Sequence, residues 1–512
     1  MIQDHPPGTA MPDASPAQTA PDAAQAAAEP QSASAQERLT ALAAEARRQL
    51  QLLDYPRHPW VPSRGDGVLD VAIIGAGQTG LATAHGLLRE RVQRVRIFDA
   101  APRGGTGVWT TFARMRTLRT PKHVTGPDLG IPALTPRAFF TARDGEAAWE
   151  SLHKIGREDW QRYLDWLERT LDLPVSHGHR LLRIAPTAAQ DPLELHLSTP
   201  EGETTVRARK LVLATGMDGM GGWSIPAPFD TLPAHRVSHT SGHVDFEALR
   251  GRRILVVGAG ASAFDNLATA LEAGAARATM LVRRQRMPRV NPFRWMEQPG
   301  FLGQLYSLPD AMRWRFMQHI FALNQPPPLE SWNRVAEDPR FDLHMGSPVT
   351  AVREEGGEVI VTTPRAEHRT DHVIVGTGTA FDLALRPELA SFAEHILLWR
   401  DAYTPPAGLE FPALGACPYL NSDFSMREKT PGDAPFLHHI HVINYGSTAS
   451  MGLSGASISG MKYGTPRLVD GICRRLWQED ADLHLRSLLD YDEPELTGEI
   501  PQELPPPSLV AE

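Results

Sequence analysis

The stretch Val68-Leu69-Asp70-Val71-Ala72-Ile73-Ile74-Gly75-Ala76-Gly77-Gln78-Thr79-Gly80 leaves few folds open to this chain. An apolar run of strand length stops at glycines spaced G-x-G-x-x-G, and Leu81-Ala82-Thr83-Ala84 continues as a helix. Each glycine has a separate task in such a crossing. Gly75 permits a tight turn, Gly77 lets the backbone approach a pyrophosphate, and Gly80 lets helix and strand pack closely. The helix start, Gln78 and Thr79, offers unpaired N–H groups to phosphate oxygens. A second strand, Val95-Arg96-Ile97-Phe98, ends in Asp99, close to the ~20-residue offset at which an acid meets a ribose hydroxyl. An adenine dinucleotide is the expected ligand.

The unit recurs at Ile254-Leu255-Val256-Val257-Gly258-Ala259-Gly260-Ala261-Ser262-Ala263-Phe264-Asp265, with Ala263 in the third small position. Its next strand, Thr279–Val282, ends in Arg283-Arg284 rather than in an acid. An acid there would repel a ribose 2′-phosphate, whereas arginine pairs with it in two-point fashion. The second nucleotide is therefore expected to be NADPH; the alternative is a solvated basic strand end extended by Arg286 and Arg289.

Two apolar strands that end in glycine, Lys210–Gly216 and Asp371–Gly378, stand on either side of this second unit. The economical reading is an α/β protein of two Rossmann-like, three-layer units, the second inserted in the first. The first unit takes residues 66–232 and resumes over 372–481. The second takes 233–371 and carries an aromatic helical insertion at 291–335, expected as two helices. Residues 1–60 read as an Ala/Pro-rich disordered extension plus an amphipathic helix around Leu39, Leu42, Leu50 and Leu53. Residues 482–512 read as an acidic, proline-rich tail. Trp149, Trp160, Tyr163 and Trp166 recur at a spacing suited to a buried helix face.

Composition narrows the partners. The net charge of −9, without long basic runs, gives no footprint for nucleic acid. No apolar run reaches the ~18 residues of a membrane span, and the N-terminus lacks the basic and apolar regions of a secretory signal. Only Cys417 and Cys473 are present, far apart, which excludes a C-x-x-C dithiol and suits a reducing compartment. A cytoplasmic location is expected, with homo-oligomerisation left open.

Taken in order, Gly75-x-Gly77-x-x-Gly80 with Asp99, Gly107-Val108-Trp109, Ala214-Thr215-Gly216, Gly258-x-Gly260-x-Ser262-Ala263-x-Asp265 and Asp371 through Gly378 carry a resemblance. The chain resembles the flavin-containing monooxygenase superfamily, which includes N-hydroxylating and Baeyer–Villiger enzymes, over about residues 66–480. The resemblance implies FAD on the first motif and NADPH on the second. It further implies a flavin that, once reduced, activates O2 and passes one oxygen atom to a small-molecule substrate. Of the family's pattern F-x-G-x-x-x-H-x-x-x-(W/Y), only His239 is matched; Pro233, His235 and His243 stand at the other positions. The Arg-x-Asp pattern of Baeyer–Villiger enzymes is absent from Arg114–Lys122. Oxygenation of nitrogen or sulfur is thus expected ahead of ketone oxygenation.

Within that frame Gln78, Trp109 and His239 are the candidate catalytic residues. Gln78 either reaches the flavin or bonds within its loop, and Trp109 either covers the ring or closes the core. Arg116, one of a trio with Arg114 and Arg119, is a candidate for the pyrophosphate. Thr215, Gly216 and Gly378 end the two glycine-stopped strands. Gly452 lies in a small-residue loop, Tyr445–Ser457, suited to the pyrimidine end of the flavin. No metal is expected. His235, His239 and His243 lack an acid or cysteine at ligand spacing, and of His438, His439 and His441 only the last two would share a strand face. Arg294 and Glu297 suggest a substrate with a polar handle. Two other functions fit the same loops, an NAD(P)H:acceptor oxidoreductase or oxidase and a non-catalytic dinucleotide sensor.

Overall fold

The computed structural model describes residues 34–53, 58–65, 67–187, 191–455 and 457–498; most of the expected N-terminal extension and the last part of the tail lie outside them. The strands, in chain order, are β1 (Val68–Ile74), β2 (Val95–Asp99), β3 (Val175–His177), β4 (Arg180–Pro186), β5 (Leu193–Thr199) and β6 (Gly202–Leu213). There follow β7 (Gly221–Gly222), β8 (Val237–His239), β9 (Arg253–Val257), β10 (Arg277–Val282) and β11 (Phe341–Met345). The chain ends its strands with β12 (Ala351–Glu355), β13 (Glu358–Thr362), β14 (Glu367–Thr370), β15 (His372–Val375), β16 (Ala380–Phe381) and β17 (Ile440–Val442).

The first sheet runs β3-β2-β1-β6-β5-β4, with β17 also on β6. β1 pairs in parallel with both β2 and β6, as its nearly unbroken apolar sequence requires of a strand covered on both faces. β6 is long enough to serve two partners along one edge, β5 antiparallel at its start and β17 parallel at its end. Helices Gln78–Arg89 and Ile458–Glu479 pack together over this sheet, burying Leu81, Leu87, Leu468, Ile472 and Leu476. The helix Arg157–Thr170 buries Trp160, Tyr163, Trp166 and Leu167, so its aromatic spacing is core.

The second sheet is wholly parallel, in the order β11-β10-β9-β15-β8. Helix Ala261–Glu272 covers one face; on the other, Val359 and Val361 of the β12–β14 meander meet Leu255, Leu281, Val373 and Val375. β15 was expected to reopen the first unit at residue 372, but it pairs in the second sheet between β9 and β8. The reason is local. Asp371 accepts from the Arg253 backbone N–H and guanidinium, each at 2.8 Å, and so ties the start of β15 to the start of β9. The chain crosses back only after Gly378, through β16, which pairs antiparallel with β7 on the outward crossing.

The segment 291–335 forms four short helices rather than two: Pro292–Met296, Pro299–Gln304, Asp310–Leu323 and Leu329–Asn333. A proline at the start of each, Pro292, Pro299, Pro309 and Pro328, divides it. Met296, Phe301, Leu305, Trp314 and Met317 are buried against Trp399, Leu414, Ala449 and Leu453, so this insertion packs on the returning part of the first unit. The expected amphipathic helix is present at Ala35–Leu53, and the beginning of the acidic tail is a surface helix, Ala481–Leu489. Among the described residues no helix is long and apolar enough to cross a membrane.

Gly80 is the tightest point of the first crossing. A Cβ there would lie 1.8 Å from the Gly75 carbonyl oxygen, which is backbone and cannot turn away. Gly80→Ala should therefore cost about 3 kcal/mol or more, read as a lowered midpoint in denaturant unfolding of the cofactor-free protein; a wild-type midpoint would contradict this packing.

Candidate nucleotide and flavin site

The two phosphate loops are built on the same backbone contact. Gly75, with φ +104°, sets its missing Cβ 2.5 Å from the carbonyl oxygen of Ala214 at the end of β6. Gly258, with φ +116°, stands 2.3 Å by the same measure from the carbonyl oxygen of Gly376 at the end of β15. Each loop is thus pressed against the strand that leaves its sheet toward the other unit. Ala263 is tolerated in the third position of the second loop because its neighbour is Gly376, whose own Cβ would lie 2.7 Å from that of Ala263.

The middle glycines behave differently. A Cβ on Gly77 would have only the Gly107 Cα near it, at 4.0 Å, and one on Gly260 would meet nothing within 4 Å. Neither glycine is needed by the protein's own packing. Both leave open backbone at a helix start, where Gln78, Thr79, Ala261 and the exposed Ser262 begin their helices, and that is the fit a pyrophosphate needs. Asp99 accepts from the backbone N–H of Ala76 at 2.6 Å and of Ala101 at 2.8 Å. Its carboxylate is held at the rim of the first loop, with lone pairs left for ribose hydroxyls.

Gln78 has a defined orientation. The indole N–H of buried Trp160 can only donate, and it donates to Gln78 Oε1 at 3.1 Å. The side-chain amide is therefore turned so that its NH2 faces away from Trp160. Gly107 comes close to Gly77, with the Trp109 ring beside Gly107, and the half-buried Trp109 is anchored by the Arg157 guanidinium on its carbonyl oxygen. Asn444, which sequence reasoning passed over, joins this end of the site together. It donates to the Leu213 carbonyl at 3.2 Å and to Thr215 Oγ at 3.1 Å, and accepts from the Gly446 N–H at 2.9 Å. The available signal was a lone amide side chain two residues after the end of strand β17. Gly216 (φ +71°) and Gly378 (φ +83°) then turn the two crossings with open space around them.

At the second loop Arg283 is exposed and Arg284 half-buried, and neither has an ion-pair partner among the described residues. Burial and the charge of Arg283 hold the Arg284 guanidinium below its usual pKa. A phosphate dianion would relieve both effects.

Three expected ligand contacts are engaged elsewhere. Asp265 is buried and accepts from Ser331 Oγ at 2.5 Å and from Arg334 and Arg119 at 3.4 Å each. Its carboxylate joins the helix of the second unit to Arg119 of the first, because the loop after Trp109 lies across that helix. For the same reason Arg116 pairs with Glu272 at 2.7 Å, and the Arg114 guanidinium lies over the Phe246 ring. Gly452 (φ +62°) backs onto the side chains of Leu305 and Phe301 of the helical insertion, which a Cβ would meet at 2.9 and 3.1 Å.

His239 ends β8 as a buried side chain, its ring parallel to Trp223 and its Nδ1 accepting from the Ser241 N–H at 3.1 Å. Burial holds its pKa down, so the imidazole is neutral near pH 7. His235 and His243 are exposed, and β8 is extended, so the four-residue spacing does not align the three rings. His438 and His439 close the turn Pro435–His439, leaving His441 alone of the three within β17. Among the described residues the one metal-like grouping is His438, His439 and Glu479. There the Lys210 ammonium already donates to His439 Nδ1 at 2.5 Å and to Glu479.

The two kinds of glycine and the free arginine make separable expectations. Gly260→Ala should leave folding and FAD content unchanged and raise the KM for NADPH about 10-fold. Arg283→Ala should raise that KM by about 10-fold or more, the loss of a charge-assisted pair of ~1.5–3 kcal/mol, with little effect on NADH. Steady-state kinetics with both nucleotides checks each, and an unchanged preference for NADPH after Arg283→Ala would remove this residue from the 2′-phosphate.

The chain is similar to several known proteins. Residues 148–324 match the L-lysine 6-monooxygenase/L-ornithine 5-monooxygenase family model, and residues 72–218 match an FAD-NAD(P)-binding family model. An FAD-dependent urate hydroxylase of Xanthomonas campestris pv. campestris is 42% identical over 468 residues, covering 91% of this chain and 98% of that protein. The fold is shared with the ornithine N-hydroxylase of Kutzneria sp. 744, solved with reduced FAD, NADP+ and L-ornithine, at TM-score 0.62 and 19% identity, over 80% of this chain and 99% of that one. It is shared also with the FAD-bound cadaverine monooxygenase of Erwinia amylovora, at TM-score 0.60 and 17% identity, over 80% and 95% of the respective chains. This chain belongs to the flavin-dependent monooxygenase family of the FAD-dependent urate hydroxylase, and is an oxidoreductase.

Proposed function

We propose that Gly75–Gly80 with Asp99 holds FAD, that Gly258–Ala263 with Arg283 holds NADPH, and that the oxygen acceptor is urate or a closely similar purine anion. The unit bound to NADPH then runs from β8 through β15, and the FAD unit resumes after the return crossing at Gly378. The observation that carries the substrate reading is the 42% identity to the Xanthomonas urate hydroxylase across nearly its full length.

Bound FAD supplies hydride acceptance and oxygen activation; the chain supplies position, electrostatics and shelter from water. Substrate, O2, NADPH and one proton give hydroxylated substrate, NADP+ and water. Gln78 presents an amide NH2 whose direction Trp160 sets, and Trp109 shields the approach beside Gly107. A planar, electron-rich anion calls for aromatic faces with a few fixed polar groups. The helical insertion offers both. Trp295, Phe301 and Phe316 form one contact cluster, with ring centroids 5.5–5.9 Å apart. Next to it the half-buried Glu297 is raised in pKa by desolvation, against the pull of Arg294, His123 and Lys154.

N-hydroxylation of an amine is the second reading, favoured by the match of residues 148–324 to the lysine and ornithine monooxygenases. Arg294 and Glu297 would then grip the two charges of an amino acid. Oxygen uptake, NADPH oxidation and substrate loss measured with urate, L-lysine, L-ornithine and cadaverine separate the readings. Urate should be consumed one-for-one with NADPH and with little peroxide. Hydroxylation of an amine with urate untouched would overturn the purine assignment, and stoichiometric peroxide with every compound would mark an oxidase.

A further inference from the structure

The order of the second sheet divides the ends of its strands into two halves. In open parallel sheets of this kind a dinucleotide lies across the strands' carboxyl ends, at the point where the strand order reverses. Here that point lies between β9 and β15, the chain entering at the β8 edge, running outward from β9 through β10 and β11, and returning as β15 between β9 and β8. Arg283, just past β10, marks the half that would take the adenosine 2′-phosphate. The other half is formed by the ends of β15 and β8, namely Gly376–Gly378 and His239.

An aromatic platform stands on that half. The Trp223 indole lies parallel to the His239 imidazole, with centroids 5.0 Å apart and planes 3° from parallel. Gly242 makes the stack possible, since a Cβ there would fall 3.0 Å from the indole. His239 is buried, with the Gly378 backbone beside it, so the lower ring of the stack is held by the sheet. Trp223 itself keeps 39% of its surface open. It directly follows β7, which pairs with β16, and therefore stands where the two crossings bring the flavin unit and the nucleotide unit together.

We propose that Trp223 is a cofactor-binding residue, its open indole face being the surface on which the nicotinamide ring of NADPH lies, with His239 as the positioning residue beneath it. The inference rests on the second loop holding NADPH. Hydride transfer moves two electrons with the hydrogen from nicotinamide C4 to the flavin and leaves NADP+, so the angle of the ring sets the rate. A stacked plane fixes that angle without a charged contact that would favour NADP+ over NADPH.

The test compares Trp223→Ala, Trp223→Phe and Arg283→Ala as FAD-loaded enzymes, by anaerobic stopped-flow flavin reduction and by binding of 2′,5′-ADP, which has the 2′-phosphate but no nicotinamide. Trp223→Ala should slow flavin reduction at saturating NADPH about 10-fold, with FAD content and 2′,5′-ADP affinity unchanged. Trp223→Phe, which keeps an aromatic face, should recover most of the rate. Arg283→Ala should show the opposite split, weak 2′,5′-ADP binding with near-normal reduction at saturation. Wild-type reduction kinetics in Trp223→Ala overturn the proposal, as does an equal loss of 2′,5′-ADP binding, which would mean damage to the whole unit. Normal 2′,5′-ADP binding in Arg283→Ala counts against the phosphate assignment alone, because Trp223 is still judged on its own contrast between the two ligands.

Discussion

Two backbone contacts organise the molecule: Gly75 against the Ala214 carbonyl, and Gly258 against that of Gly376. In each case a phosphate loop touches the end of the strand that leaves for the other unit. The first strand continues into β7 and the second into β16, and those two pair with each other. The shape of each nucleotide cradle is therefore coupled through a few residues of backbone to the path between the units. A side chain at either glycine would disturb the loop and the crossing together, which is why the constraint is steric and local while its effect reaches across the molecule.

The second set of contacts lies at the loop following Trp109. Arg114, Arg116 and Arg119, together with Thr117, all reach residues of the second unit or its insertion: Phe246, Glu272, Asp265 and Glu330. Asp265 is the demanding member. A buried carboxylate is costly unless its oxygens are paired, and Ser331, Arg334 and Arg119 supply the partners from three directions. The helical insertion adds an apolar contact, with Phe301 and Leu305 closing over Gly452. The contact between the two units is thus made by segments far apart in sequence.

The parts of the site made of local backbone were legible in the chain. The glycine spacing, the acid after β2 and the arginines after β10 each act within one strand–turn–helix unit, so their meaning travels with the sequence. The parts that depend on what lies opposite were not. Asp265 and Arg116 carry charges suited to a nucleotide, yet each is neutralised by a partner that sequence does not place beside it. Gly452, expected in a ligand loop, also packs against an aromatic insertion about 150 residues earlier. Asn444 gave little signal, because an amide after a strand is common, and its value comes from where Thr215 and Leu213 happen to end.

By itself the sequence determined two glycine-rich strand–turn–helix crossings, which of them is followed by a basic strand end, and a resemblance to flavin-dependent monooxygenases. The crossings follow from backbone sterics and the basic end from charge at a fixed short offset, and the family from the resemblance that these motifs carry together. Only the tertiary structure decided that β15 belongs to the second sheet, that the arginine trio joins the two units, and that Trp223 lies on His239. Those outcomes depend on register, on burial and on which side chains meet across the crossings, and such pairings are properties of the packed chain and not of any one segment.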